Sequence, residues 1–533
     1  MKYGLEIEIG KLEKEIEKLP SGDIVFRTED GRKYPYHVWE EDGHESSVYL
    51  NEVALEELRS LLRRRTELEE NLLDRMQLLL ERMDNPEMFH TSVLVGDELE
   101  EIAVAGRMHP ESRDGYESIL SYLQDGKCLD VLILFGQRNT GKRILMSQAI
   151  ADMSQEDRDH TAFIQIKEGN VIGDLSHDLT VLRDYGIRYV FIDEVTKLPD
   201  FIRKASVLGR FFTFSMKIVI SGSDNLGLMF AYKESLFSRS ILLHTNYWPF
   251  PEWSRIAGSD DLDRYLERGG YYPGKDVSVA SALNIAQDIG RSIVNYRVIG
   301  NLSKLENLWM KGELTYTIQI MLEDMTLDFL EGVGDGEFRE RLDIVRKSRD
   351  EYHIGTTVWK ALEVELAEID IIRYVTIDDV MYPEMKSSRE ILFIQPGLRY
   401  SLVMDIIDRI GVDSVDIIKN DVKHRILAET VLLSAIRNIE SRWYHVFKLE
   451  GIDMVIWNAF KDEVYLFNVA KDFVDDALME HIESHYGKII GQYVIVDDSS
   501  PVADGVVLLK AENLLMKLEA LEIIEPELEF IID

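Results

Sequence analysis

The sequence has 533 residues, of which 45% are hydrophobic and 29% are charged, and its formal net charge is −37. This length suggests three or four domains at roughly 150 residues each. The acidic excess excludes tight, non-specific coating of nucleic acid, because such a surface repels phosphate backbones. The single cysteine, Cys128, excludes an intrachain disulfide framework and fits a reducing compartment, and we expect it to be buried as a small hydrophobe.

Membrane association is not indicated by the hydrophobic pattern. The sequence has no run of about 18 apolar residues, the length needed for a membrane span. The charged start also lacks the apolar region of a signal peptide. We therefore expect a cytoplasmic protein with no membrane partner.

Residues 1–85 predict a separate N-terminal module. A charged opening stretch is expected to be a short helix, and residues 23–50 alternate as strands do, with turns at Asp30-Gly31 and Asp42-Gly43. Leucines then recur at helical spacing from Glu52 to about residue 83, which indicates a long exposed helix or a short coiled coil. This β-hairpin and helix is the part of the chain that we expect to contact a second copy or a partner protein.

The remaining chain divides into four further regions. Residues 86–127 are predicted to be a linker and a lead-in helix. Residues 128–260 alternate apolar runs with helical segments, and the runs at 131–135, 162–166, 189–192 and 217–220 predict parallel strands of an α/β core. Residues 261–410 are mostly helical in pattern and end in a strand at 390–394 and an expected tight turn at 395–397, which suits the wing of a winged helix. Residues 411–533 predict strands at 491–496 and 505–509 and a helix at 512–521.

A phosphate-binding loop follows the first core strand and precedes an apolar helix. Its residues are Gly136, Gln137, Arg138, Asn139, Thr140, Gly141, Lys142 and Arg143. A glycine at each end lets the backbone turn its N–H groups towards phosphate oxygens, and the lysine and the helix N-terminus add positive charge. The loop therefore predicts nucleotide binding.

An acidic pair supports this prediction. Asp193 and Glu194 follow the apolar run 189–192, so they are expected at the carboxyl end of a parallel strand, where ligands bind. Asp193 is placed to hold Mg²⁺ through water, and Glu194 to orient the attacking water. The alternative is a strand that ends in a solvated acidic pair.

Two more residues are candidates for the same site. Ser223 follows the next strand and is a candidate for sensing the γ-phosphate or positioning water, against the alternative of a plain polar turn. Arg239 is a candidate arginine finger or sensor that acts within or between subunits, and a surface salt bridge is the alternative.

The sequence resembles a family at this point, through RYVFIDEV (188–195), KIVISGSDNLG (217–227), LFSRS (236–240), PFPEWSRI (249–256) and ERGG (267–270). These runs are similar to those of prokaryotic AAA-type ATPases that carry a C-terminal nuclease-like domain. The resemblance implies a P-loop core, a winged-helix unit over residues 261–410 and a restriction-endonuclease-like fold over 411–533. It also implies ATP or ADP and Mg²⁺ as cofactors. It covers roughly residues 115–525.

Arg143 departs from the family pattern. The resemblance implies Thr or Ser after the loop lysine, with a hydroxyl that ligates Mg²⁺, and arginine cannot ligate a cation. A guanidinium about 4 Å from the metal would cost about 4 kcal/mol per unit charge at an effective dielectric of about 20. Arg143 is therefore expected to point away, to contact a phosphate, or to replace part of the metal's charge, and we expect slow or weakly metal-dependent turnover.

The nuclease-like region departs as well. The resemblance implies a helical Glu, an Asp on one strand and Glu-x-Lys on the next, which together bind Mg²⁺. Glu429 and Asp453 match the first two positions, but Asn468 and Ala470 replace the last two. Lys471 is one residue late, on the opposite strand face unless a bulge redirects it. We expect an inactive, structural nuclease fold.

Three functional hypotheses follow from these patterns. The first is a nucleotide-dependent switch or weak ATPase, and the second is a scaffold stabilised by nucleotide without turnover. The third is a DNA-associated effector, which would use a run of basic residues interleaved with acidic ones: Arg339, Arg341, Arg346, Lys347 and Arg349. An ordinary charged helix is the alternative for that run. His481 and His485 are expected to be a surface pair rather than zinc ligands, because no third ligand is suitably spaced.

Overall fold

The structure is a computed structural model. It describes residues 2–29, 32–41, 44–84, 88–125, 130–199, 201–208, 211, 216–236, 239–273, 305, 307–308, 310–349, 354–378, 388–411, 415–471, 476–496 and 507–520. Cys128 and the two Asp-Gly turns predicted in the N-terminal module lie outside these residues.

The N-terminal module consists of two helices and a small antiparallel sheet. Helix α1 (Lys2–Ile16) precedes strands β1 (Asp23–Glu29), β2 (Arg32–Glu41) and β3 (His44–Tyr49), which pair in that order, and α2 (Glu52–Asp84) follows. The predicted long helix is confirmed. The sheet has three strands, as many as two turns in this stretch imply and one more than a single hairpin has. Arg65 of α2 donates to the carbonyls of Ile16 and Leu19 at 3.3 and 2.9 Å, which ties the two helices together.

The core sheet has six strands in the order β4-β6-β7-β8-β5-β9. These are β4 (Ser92–Val95), β5 (Val131–Phe135), β6 (Thr161–Gln165), β7 (Tyr189–Asp193), β8 (Lys217–Ser221) and β9 (Ser240–His244). Strand β4 is antiparallel to β6, and the other five are parallel. The four predicted strands are confirmed, and β4 and β9 are additional edge strands.

Helices cover both faces of this sheet. They are α3 (Leu99–Arg107), α4 (Tyr116–Gln124), α5 (Lys142–Asp152), α6 (Gln155–Asp159), α7 (Ile172–Asp184), α8 (Phe201–Lys204), α9 (Asn225–Phe230), α10 (Phe250–Ala257) and α11 (Leu262–Arg268). Short 3₁₀ helices occupy Gly96–Glu98, Val195–Lys197 and Ala205–Leu208, and a π-helical turn spans Ala231–Ser235. Successive residues of β5 enter two different apolar cores, as a strand between two helical layers requires.

The C-terminal half combines helices with a seven-stranded mixed sheet. Its helices are α12 (Leu314–Phe329), α13 (Gly336–Arg349), α14 (Thr356–Glu368), α15 (Pro396–Ile410), α16 (Val415–Asn438), α17 (Asp476–Tyr486) and α18 (Ala511–Ala520). Its strands are β10 (Ile372–Asp378), β11 (Ser388–Phe393), β12 (Tyr444–Leu449), β13 (Ile452–Asn458), β14 (Glu463–Val469), β15 (Lys488–Val496) and β16 (Val507–Lys510). The strand order is β11-β10-β12-β13-β14-β15-β16.

This sheet changes two expectations about the region. Hairpin β10–β11 belongs to the same sheet as β12–β16, so the boundary expected after residue 410 crosses one continuous sheet. The tight turn expected at residues 395–397 is wrong, because Pro396 is the first residue of α15. Proline suits that position, since its fixed φ is helical and the first N–H of a helix has no intrahelical acceptor. Among the described residues, no helix is both long and apolar enough to cross a membrane.

Candidate nucleotide-binding site

The phosphate loop connects the carboxyl end of β5 to the N-terminus of α5. Gly141 has φ +90° and precedes the first helical residue, Lys142, so the chain turns sharply into the helix. Gly136 is required by close approach, because a Cβ there would lie 1.9 Å from the hydroxyl oxygen of Thr245. The chain therefore has the predicted order of strand, loop and helix, and the role of the loop in binding phosphate stays a prediction. The loop leads directly into the N-terminus of α5, the end of a helix whose N–H groups and partial positive charge favour a bound anion.

The loop is held from outside by side chains of neighbouring segments. The backbone N–H groups of Gly136 and Gln137 donate to the amide oxygens of Asn225 and Asn246. Arg113 donates to the carbonyl of Thr140 at 2.9 Å. These contacts fix the backbone before any ligand binds, which reduces the entropy that binding costs.

Lys142 and the buried Thr140 satisfy the loop's own carbonyls. The Lys142 ammonium donates to the carbonyls of Gly136 and Gln137, the latter at 2.7 Å. The Thr140 hydroxyl donates to the Gln137 carbonyl at 2.8 Å and contacts the Thr245 hydroxyl at 3.0 Å. A bound phosphate would accept hydrogen bonds from the Lys142 ammonium in place of these carbonyls, whereas the Thr140 hydroxyl would keep its hydrogen bond to the loop.

Asp193 and Glu194 lie at the carboxyl end of β7, as predicted. Asp193 is 7% exposed and accepts hydrogen bonds from the Ser221 hydroxyl and, at 3.0 Å, from the Glu194 N–H. Glu194 has φ +60°, which is uncommon outside glycine, and its carboxylate accepts from the Ser223 hydroxyl at 2.8 Å. Backbone strain of this kind clusters at functional sites. The structure thus brings Ser223 to the predicted water-positioning carboxylate.

Arg143 points to the acidic pair rather than away from it. A guanidinium nitrogen of Arg143 lies 3.9 Å from a carboxylate oxygen of Asp193. The guanidinium carbon lies over the Phe163 ring, 5.6 Å from the ring centroid. The side chain is 57% exposed. The cation of Arg143 is therefore next to the carboxylate that the sequence predicts as the Mg²⁺ ligand.

The residues present fit a nucleotide phosphate. Glycine turns, a helix N-terminus and the Lys142 ammonium supply what a polyphosphate needs. Asp193 is the oxygen ligand that the sequence predicts for Mg²⁺, and the guanidinium of Arg143 lies 3.9 Å from it.

Arg239 is not placed at the site of its own chain. It precedes β9, and its carbonyl accepts from the N–H of Val131, the first residue of β5. The phosphate loop follows the opposite end of β5, where Phe135 pairs with His244. A role for Arg239 in its own site is therefore not supported by its position, and a role between subunits stays a prediction.

Sequence reasoning missed Thr245, Asn246 and Arg113, whereas Asn225 belongs to the polar run that follows β8 and was predicted to lie near the site. The signal for the first two was available, because they follow β9 and the carboxyl ends of neighbouring parallel strands meet at one edge. Asn225 carries an amide nitrogen that is buried and has no hydrogen-bond partner among the described residues, next to its contact with the loop. Arg113 had no sequence signal, since its charged and aromatic partners lie more than a hundred residues away: it pairs with the buried Glu252, and its guanidinium carbon lies 3.9 Å from the centroid of the Trp248 ring.

The loop also touches the segment that leads into the C-terminal sheet. Ile369 and Asp370, between α14 and β10, are here called the joint. The side-chain amides of Gln137 and Asn246 donate to the Ile369 carbonyl at 3.2 and 3.1 Å. Asp370, at φ +55°, contacts the His244 ring nitrogen at 2.8 Å. The phosphate loop and the start of β10 are thus connected through two residues.

Comparison with known proteins agrees with the site. The family model described as "AAA domain" matches residues 130–253, from just before β5 to within α10. Residues 130–253 are therefore similar to an AAA domain, and they have the strand, loop and helix of a P-loop in sequence. Such a domain binds nucleotide, usually with Mg²⁺. No curated protein matches the chain. The solved structure of C. elegans PCH-2 matches with 12% identity over 42% of this chain and 70% of that chain, at a TM-score of 0.20.

A second candidate site lies in the C-terminal sheet. A cavity of about 760 Å³ is lined there by the acids Glu429, Glu390 and Asp453. Each of them forms an ion pair, with Arg399, Lys448 and Lys471 respectively. Glu429 and Arg399 are buried, and Arg399 lies over the Phe393 ring at 4.0 Å. Burial raises the pKa of the Glu429 carboxyl, and Arg399 opposes that shift.

Lys471 takes the alternative orientation that the sequence left open. Ala470 has φ +51° directly after β14, and this kink turns Lys471 back so that its ammonium lies 2.8 Å from Asp453. Lys471 therefore lies on the same side of the sheet as Asp453. Asn468 lies across from Asp453 and accepts its N–H at 3.0 Å. The predicted residues Glu429, Asp453 and Asn468 thus have protein partners.

The remaining candidates have structural partners. In the basic run of α13, Arg339, Arg341 and Arg346 donate to the carbonyls of Gly334, Gly411 and Leu327 at 2.8, 2.6 and 2.6 Å. The ring nitrogens of His481 and His485 contact carbonyls one turn earlier in α17, as ordinary helix-surface histidines do.

Proposed function

We propose that the chain is an ATP-binding switch whose Mg²⁺-dependent hydrolysis is impaired. The observation that carries the proposal is the 3.9 Å separation between the Arg143 guanidinium and the Asp193 carboxylate. A cation that belongs to the chain stands beside the carboxylate on which a metal would depend. The AAA-type domain supplies the nucleotide site, and Arg143 changes what that site does.

The exposure of Arg143 decides how it acts. An ion pair with one partner 57% exposed contributes no more than about 1 kcal/mol, so a bound polyphosphate can draw the guanidinium from Asp193. Arginine binds phosphate oxygens through its planar fork of donors. Arg143 then supplies positive charge that Mg²⁺ would otherwise bring, so binding depends little on the metal. Hydrolysis remains slow because the hydroxyl ligand for Mg²⁺ is missing.

The joint supports a switch rather than an isolated binding site. Gln137 belongs to the phosphate loop, and its amide reaches the Ile369 carbonyl that precedes β10. A phosphate that rearranges residues 137–142 perturbs this contact and, through it, the start of the seven-stranded sheet. The free energy that couples nucleotide binding to the sheet cannot exceed the difference in contacts between the nucleotide-free and nucleotide-bound states. For two or three hydrogen bonds this difference is about 1–3 kcal/mol.

The test is a titration of ATP and ADP with and without Mg²⁺, combined with phosphate release. The proposal expects ATP affinities within about tenfold of each other with and without the metal, a difference of about 1.4 kcal/mol. Lys142→Ala should abolish binding in both conditions. Absence of nucleotide binding in the unaltered chain would refute the proposal. Rapid, strictly Mg²⁺-dependent turnover would show an ordinary ATPase.

The scaffold hypothesis is supported by the second site. Residues 415–496 run as a helix, three antiparallel strands, a helix and a parallel strand, in the order that the nuclease-like resemblance requires for Glu429, Asp453 and Asn468. Each acid of the expected metal site is engaged by a cation of the chain. We propose a nuclease-like fold without nuclease activity. Mg²⁺-dependent cleavage of DNA that disappears in Asp453→Ala would contradict it.

A further inference from the structure

A cluster of two histidines and two aspartates lies outside both sites described above. His90 precedes β4, and Asp174, His177 and Asp178 lie on α7. The His90 and His177 rings are parallel within 7°, with centroids 4.1 Å apart, so their edges are presented side by side. One ligand-capable atom from each of His90, His177 and Asp178 lies within 4.8 Å of the others.

The backbone around the cluster is fixed. The buried Asp178 accepts the N–H groups of His90 and Thr91 at 2.9 and 2.8 Å, and the Thr91 hydroxyl at 2.6 Å. The side chain of Asn170 donates to the His90 carbonyl at 3.3 Å. The backbone of His90 is therefore held against α7 whether or not an ion is bound, so only side chains would have to move to bind a metal there.

Asp178 retains capacity for a cation. A carboxylate has about four lone-pair positions, and these contacts use three of them, two on one oxygen and one on the other. The oxygen that accepts the His90 N–H has a position left. Asp174 adds a second carboxylate, with an oxygen 3.6 Å from the Nδ1 atom of His90.

The donor types and spacing select the metal. Imidazole nitrogen and carboxylate oxygen bind Zn²⁺ at about 2.0–2.2 Å, so tetrahedral ligands lie about 3.3 Å apart. The ligand atoms of the cluster lie within 4.8 Å of one another, which is wider than this spacing. The His90 side chain is 50% exposed, so it can rotate to bring its ring nitrogen closer to the other ligands. Mg²⁺ and Ca²⁺ prefer oxygen ligands, so they are not expected here.

We propose that His90, His177 and Asp178, with Asp174 beside them, form a Zn²⁺ site that fastens the segment before β4 to α7. The N-terminal module joins the core at this helix, because Arg75 of α2 donates to the Asp184 carbonyl at the end of α7, at 3.0 Å. The ion thus stabilises the chain where the module meets the P-loop domain. The site is independent of nucleotide.

The test measures Zn²⁺ binding to the full chain by calorimetry, without nucleotide and with excess Mg²⁺. Co²⁺ absorption reports the coordination geometry. We expect one high-affinity site that weakens at least about tenfold in His90→Ala and in His177→Ala. The matched control is the double variant His481→Ala/His485→Ala, which removes an exposed pair with centroids 6.4 Å apart and should leave that affinity unchanged.

A second measurement needs no variant. Histidines of the unaltered chain are modified with diethylpyrocarbonate, with and without Zn²⁺, and the modified positions are mapped by mass spectrometry. Protection of His90 and His177, but not of His481 or His485, supports the site. Absence of stoichiometric binding, equal protection of both pairs, or unchanged affinity in the two single variants would overturn it.

Discussion

The buried pair Arg399–Glu429 offers a sharp test of whether the nuclease-like site is structural. The side chains are 1% and 9% exposed, and their nearest atoms are 3.0 Å apart. Arg399 also donates to the carbonyls of Met325 and Ile391 at 3.1 and 3.0 Å, so it joins α12, β11 and α16. Glu429→Gln leaves this guanidinium buried and without its counter-charge.

The expected loss is large because the cation cannot reach water. Removing one partner of a buried ion pair costs about 3–5 kcal/mol, and we expect about 3 kcal/mol for the shape-preserving Gln. The double change Arg399→Met/Glu429→Leu should recover most of the loss, because it removes both charges and keeps the volume. The control is Glu390→Gln on the same cavity, whose pair with Lys448 is 30% and 27% exposed and should matter by less than about 1 kcal/mol.

The assay is urea unfolding of the full chain, combined with hydrogen exchange of peptides from α16. The chain has several domains, so the local exchange of α16 is needed to assign the transition. Faster exchange of α16 in Glu429→Gln, restored in the double variant, would support a structural role. Unchanged exchange and an unchanged urea midpoint in Glu429→Gln would refute the reasoning.

Three further predictions concern the P-loop domain, the joint and helix α14. Gly136→Ala should weaken ATP binding at least about 100-fold, because the added Cβ would lie 1.9 Å from the Thr245 hydroxyl oxygen. In the control Gly173→Ala the added Cβ is 3.9 Å from its nearest neighbouring atom, so this variant should bind ATP normally in the same calorimetric titration. Asp370→Gly keeps the positive φ but removes the carboxylate, so ATP should still bind while its effect on hydrogen exchange in β10 and β11 falls. Glu365→Gln should lessen the loss of stability with rising pH: burial, aided by Glu368, raises the pKa of the Glu365 carboxyl from 4.5 to about 7, so the folded chain favours the protonated form. The stability that this form contributes is fully present below the unfolded value of 4.5 and is lost as the pH rises to about 7, by about 3 kcal/mol in the unaltered chain. The melting temperatures of the two chains should therefore separate between pH 4.5 and about pH 7, and their difference should stay constant above that range.

Much of the P-loop domain was predictable because its signals are local. Strands β5 to β8 are short apolar runs, and β5 and β7 are followed by a glycine-bounded loop and by an acidic pair. Parallel strands place their carboxyl ends at one edge, so the sequence could also predict that Asp193 and Ser223 lie at the edge of the sheet from which the loop begins. The contacts by which Arg113 holds the phosphate loop were not predictable from the sequence. They join Arg113 to the segment 245–252, which approaches it only in the folded chain.

The C-terminal half was harder for the same reason. Hairpin β10–β11 follows a helical array in sequence, yet its edge pairs with β12 some seventy residues later, as Ile377 with Lys448. Nothing local encodes that pairing. The position of Lys471 depended on one backbone angle, at Ala470, and period-two alternation cannot report a left-handed residue. Pro396 carried a usable signal, because proline begins helices as readily as it forms turns.

The central claim is that Arg143 limits metal-dependent hydrolysis. Its most direct test is the steady phosphate release of Arg143→Thr against the unaltered chain, at saturating ATP and Mg²⁺. Threonine restores a hydroxyl ligand and removes the cation 3.9 Å from Asp193. We predict release at least about tenfold faster in the variant, a change of about 1.4 kcal/mol in the barrier, with the gain lost when Mg²⁺ is removed. An equal or slower rate in Arg143→Thr, with ATP still bound, would contradict the account.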